Sequence, residues 1–134
     1  MRKITMTCIY AASRDTVELF EVSDTDRPQG KLHTTIGAFG KNVMKFLDAD
    51  KARKYKIMFW EADSPQEMDF ALTTLANMYI NDVYNALEDR IEEDCDLELD
   101  EESEMRFKKP MEQIVKGTMA FELKEEKDKN KRGI

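Results

Sequence analysis

Polar and apolar residues alternate near the start of the chain. In KITMTCIY (3–10), Ile4, Met6, Cys8 and Tyr10 share one side, while Thr5, Thr7 and Ile9 share the other. That is the period of a strand. TVELFEV (16–22) predicts a second strand and KLHTTI (31–36) a third. The turn-forming loop SDTDRPQG (23–30) precedes the third, so an antiparallel meander is expected. YKIMFW (55–60) is apolar on both faces and reads as a central strand covered on both sides. TMAFEL (118–123) places Met119, Phe121 and Leu123 on one face and reads as a last strand.

Other segments repeat at three and four. Val43, Met44, Phe46 and Leu47 predict a short helix within 41–52. SPQE (64–67) is a helix start. Ser64 suits the N-cap, Pro65 the first helical position, and Glu67 can reach back as a capping box. The helix that follows is expected over 65–92, with Leu72, Leu75, Tyr79, Val83, Leu87 and Ile91 along its apolar stripe. Pro110 reads as the start of a second short helix and Gly117 as its end. The tail KEEKDKNKRGI (124–134) is charged and expected to be disordered. The fold class implied is α+β. Residues 1–123 would form a single domain, a mixed, mostly antiparallel sheet packed by one long helix and two shorter ones.

Composition narrows the function classes. The 134 residues suit one domain and need no staples. No apolar run reaches the roughly 18 residues of a membrane span, so no membrane partner is expected. The N-terminus MRKITMTCIYAAS superficially resembles a signal peptide, but Thr5 and Thr7 interrupt it and the alternation is that of a strand. Two cysteines require no disulfide framework, so a reducing, cytoplasmic setting is the expectation. With one histidine they cannot build an ordinary structural zinc site. Neither a cofactor nor a metal is expected.

The net charge of −7 is unevenly distributed. Residues 88–104 carry 11 acidic groups against Arg90 alone, whereas residues 1–87 and 106–134 have nets of −1 and +4. The centre of this segment is EEDCDLELDEESE (92–104). Asp94, Asp96, Glu98 and Asp100 recur at every second position, with Cys95, Leu97 and Leu99 between them. On a strand they would form a row of carboxylates about 7 Å apart, close to the spacing of phosphates along a nucleic-acid strand. Upstream, Glu88, Asp89, Glu92 and Glu93 crowd the negative end of the long helix. Each costs about 0.3–1 kcal/mol there, and the i,i+4 like-charge pairs add roughly 0.2–0.5 kcal/mol each. The EF-hand pattern fails from either Asp94 or Asp96. A solvated charged face is the plain interpretation. The functional one is a non-catalytic binding or inhibitor protein that presents a basic partner with Glu88, Asp89, Glu92, Glu93, Asp94, Asp96, Glu98, Asp100, Glu101 and Glu102. The partner could be a nucleic-acid-handling enzyme whose substrate the row mimics. In size and charge alone, the chain resembles phage-encoded inhibitors.

Two alternatives accompany that expectation. IGAFGKNV (36–43) resembles the Ile-Gly-x-x-Gly-x-x-Ile core of KH domains. The resemblance implies single-stranded nucleic-acid binding at Gly37, Gly40, Lys41 and Lys45, with a helix before the loop and a strand after the following helix. Pro28 and Gly30 fall where that preceding helix should lie, and Ala38-Phe39 lacks the usual basic residue. A homo-oligomer built through the long helix or a sheet edge is the other alternative. Catalysis is not expected. His33 sits in a predicted strand, Cys8 alternates with core residues, and Cys95 lies between two carboxylates.

Overall fold

The structure, a computed structural model, describes residues 2–22 and 30–132, with side chains through Lys129. The fold is α+β. In order the elements are β1 (Arg2–Ile4), β2 (Met6–Ala11), β3 (Thr16–Glu21), β4 (Leu32–Ile36), α1 (Phe39–Leu47), α2 (Asp50–Glu61), α3 (Pro65–Cys95), β5 (Leu97–Leu99) and α4 (Glu101–Arg132). The expected loop at 23–30 lies, except for Gly30, outside the described residues. The chain divides into two compact units, the first holding the residues up to Phe39 with Asn81–Met111, the second Gly40–Ile80 with the residues from Glu112 on.

In the first unit the expected meander forms, with antiparallel strand order β2-β3-β4. Alternation sends Met6, Val17 and Leu19 inward, where all three are buried. A separate parallel pair joins β1 to β5, aligning Ile4 with Leu99. The unit's halves of α3 and α4 contribute Tyr84, Leu87, Ile91, Phe107 and Met111 to its core. Ser103 is fully buried there. Its hydroxyl oxygen accepts the Met6 N–H at 2.7 Å, satisfying a backbone group at the start of β2.

In the second unit α1, α2 and its portions of α3 and α4 enclose Val43, Phe46, Phe59, Leu75, Ala76, Val115, Met119 and Leu123. Two strands expected here are helical instead. YKIMFW lies in α2, where only Lys56 and Phe59 of the six are buried. A continuous apolar run fits either period, and the helix-forming DKAR just before it starts the helix. TMAFEL lies in α4, because Phe107, Met111, Val115, Met119 and Leu123 recur every four residues and are all buried. Neither Pro110 nor Gly117 punctuates α4, which continues to Arg132 through most of the segment expected to be a tail.

Pro110 has a local partner arrangement. Having no N–H, it leaves the Arg106 carbonyl, four residues earlier, without its helical donor. The Cys8 thiol donates to that carbonyl at 3.6 Å. Burial pushes this thiol up to about 12, which keeps the proton on sulfur for that hydrogen bond.

Candidate interaction surface

The acidic segment begins on α3. The helix start is built as its sequence suggests: Ser64 Oγ accepts the Glu67 N–H at 3.2 Å. Glu67 reaches back one residue further than a standard capping box, accepting from Asp63 N–H at 3.0 Å. At the other end the last turn contains no basic residue. Leu87 and Ile91 face the core, so Asp89, Glu92 and Glu93 are exposed and Glu88 is half-buried.

The four-carboxylate row does not form. Asp94 is still in α3, and Asp96 turns the chain with φ 54°, a left-handed conformation that Asp tolerates better than most residues. Only residues 97–99 are extended, so Glu98 alone projects to solvent between buried Leu97 and Leu99. Asp100 is the cap of α4. Its Oδ1 accepts both the backbone N–H and the hydroxyl of Ser103, each at 2.9 Å, and its Oδ2 accepts the Thr5 hydroxyl. Burial pulls its carboxyl up, but the hydrogen bonds from Thr5 and Ser103 outweigh it, leaving Asp100 below the usual carboxylate range. The phosphate-like spacing needed an extended 94–100 segment, and the chain does not provide one.

Glu101, Glu102 and Glu104 occupy the first turn of α4, the favourable end of its dipole. Glu102 pairs with Arg106 at 3.1 Å and Glu104 with Lys108. These acids, like Asp100, have structural reasons to be where they are.

The remaining acids do not. Among the described residues no ion pair neutralises Glu88, Asp89, Glu92, Glu93, Asp94, Asp96 or Glu98. Arg90, embedded in the group, donates instead to the Thr35 carbonyl at 3.4 Å. Glu88, Glu92 and Glu98 line one small cavity of about 140 Å³, backed by Leu97 and Leu99. Tyr84 is buried one turn before Glu88 on α3. Burial, and then the charges of Glu88, Glu104 and Asp100, push its phenol well up. Sequence reasoning placed Leu97 and Leu99 opposite the carboxylates, whereas the two leucines form the back of the same cavity.

The other candidates resolve differently. A helix follows Gly37 as expected, though it already includes Gly40, but β4 precedes the turn where a KH domain has a helix, and α2 follows α1 where it has a strand. Gly40 lies inside α1, and the Phe39 N–H is already given to the Asp15 carbonyl at 3.0 Å. Lys41 and Lys45 are exposed on α1. His33 has a structural partner, with Nε2 3.1 Å from Glu21 Oε2. A bond from Arg2 at 2.6 Å, more than that from His33, holds Glu21 below the usual carboxylate range. Cys95 lines a depression with Arg2, Lys31 and His33, so its surroundings include cations as well as the flanking carboxylates. Among the described residues no group of three or more potential ligands is arranged to hold a metal, and no helix is long and apolar enough to cross a membrane. Compared with protein families, curated proteins and solved structures, the chain matches none.

Proposed function

We propose that the protein is a non-catalytic binding protein whose acidic surface, formed by the end of α3 and by β5, engages a basic protein partner. One observation supports this most. Three carboxylates from two elements, Glu88, Glu92 and Glu98, line a notch with an apolar back wall; among the described residues none of the three is in an ion pair, and the nearest cation in register is exposed Lys3, opposite Glu98 across the β1–β5 pair. That arrangement suits an arginine or lysine side chain. Its methylene stem would lie on Leu97 and Leu99 and its charged head among the carboxylates. Asp89, Glu93, Asp94 and Asp96 would form the surrounding rim, which speeds encounter more than it adds affinity. The broken row removes the geometric case for nucleic-acid mimicry, so the partner is described by its basic side chains alone.

The test is capture from a cell lysate by immobilised protein, in parallel with Glu88→Gln/Glu92→Gln/Glu98→Gln. A basic protein held by the parent at about 0.15 M salt, lost at higher salt and lost by the variant supports the proposal. Equal capture by the two chains, or none by the parent, rejects it.

A further inference from the structure

We infer a second docking site, in the other unit, for a peptide segment that carries an apolar side chain next to a lysine or arginine. Two depressions flank the corner between α1 and α2 and share Leu47 and Asp48. The first, of about 400 Å³, is walled by Leu47, Ile57 and Trp60. Acids and cations are interleaved there: Arg53 and Lys56 line it with Asp48 and Asp50, and the buried Lys56 ammonium is 3.3 Å from Glu126, 4.0 Å from Asp48 and 5.4 Å from the centre of the Trp60 ring. The Trp60 indole N–H is spent on the Leu123 carbonyl at 2.9 Å, and Lys127 bonds the Trp60 carbonyl at 3.0 Å. The aromatic wall is therefore fixed in place, with its polar atoms satisfied.

The second depression, of about 260 Å³, is the more acidic. Met44 and Leu47 form its apolar side, and among the described residues Asp48, Glu122, Glu125 and Glu126 line it with one cation, Lys129. Even with Glu126 assigned to Lys56, this half is net negative. Met44 and Ile57 are 39% and 40% exposed, one in each depression, which leaves apolar surface open on both sides of the shared corner. An apolar anchor fits the half walled by Ile57 and Trp60, and a cation fits the more acidic half. An acidic segment would meet Glu122 and Glu125, and a purely polar one would leave Met44 and Ile57 in water. The flexible methionine wall suits an occupant of variable shape.

Trp60 is the protein's single tryptophan, so its fluorescence reports this site directly. The probe is a short peptide of alternating leucine and lysine, titrated against the same peptide with glutamate for lysine. The expected result is a saturable Trp60 shift with the lysine peptide only, weakened about fivefold or more by Glu122→Lys/Glu125→Lys. Ile57→Ser should also weaken it, while Glu92→Lys/Glu93→Lys, on the first acidic surface, should leave it intact. Circular dichroism confirms that each variant is folded. No shift, an equal shift with the glutamate peptide, or loss of the shift in Glu92→Lys/Glu93→Lys but not in Glu122→Lys/Glu125→Lys overturns the inference. The notch formed by Glu88, Glu92 and Glu98 is tested separately, by capture with its own variant; of the outcomes here only loss of the shift in Glu92→Lys/Glu93→Lys would point to it.

Discussion

Among individual residues, Asp100 and Ser103 show how a residue that looks like part of a charged surface can be a structural device. Ser103 is enclosed, and its oxygen accepts the Met6 N–H. Ser103→Ala would strand that donor and remove one bond to Asp100, so a loss of about 1–3 kcal/mol in urea denaturation is expected. Asp100 gives a pH signature. Its folded carboxyl titrates lower than it does in the unfolded chain, so the unfolded state takes up the proton first as pH falls. Its contribution is complete above the ordinary carboxylate range, near about 4, and is lost as pH drops through the depressed folded value. Asp100→Asn keeps a capping side chain but cannot titrate. Its stability should therefore fall less than the parent's over that acid range, measured by thermal denaturation at stepped pH.

Elements differ in how plainly the residues declared them. The meander and α3 were legible, because strict alternation and a capping sequence each admit one structure. The acidic stretch misled because its alternation spans only a few residues. Asp96 takes a left-handed turn and Asp100 caps a helix, and neither role leaves a mark on a two-residue period. Helix α4 was hidden for another reason. Its four-residue apolar repeat is clear from Phe107 to Leu123, but Pro110 and Gly117 read as boundaries. The surrounding burial overrides both, and the Cys8 thiol occupies the carbonyl that Pro110 leaves open. Gly117 consequently carries only an entropic penalty. It is exposed in mid-helix, φ is not positive, and a Cβ there would meet nothing within 4 Å. Gly117→Ala is expected to stabilise the protein by about 0.8–1 kcal/mol in a thermal melt.

At the scale of the whole molecule, the charge divides into acids that the fold uses and acids that it does not. Asp100, Glu102 and Glu104 cap or pair within α4. Glu92 and Glu93 stand exposed at the negative end of the α3 dipole, next to Glu88 and Asp89 one turn earlier, and oppose folding. Glu92→Lys/Glu93→Lys should therefore raise stability by about 1 kcal/mol in low salt, with the gain shrinking as salt is added. Side chains that a domain would be more stable without are those a binding surface retains. The most direct test measures both quantities on one variant, Glu88→Gln/Glu92→Gln/Glu98→Gln. Unfolding stability should be unchanged or higher while salt-sensitive capture of the basic partner disappears. A variant that is less stable yet still captures the same partner would contradict the assignment of these carboxylates to binding.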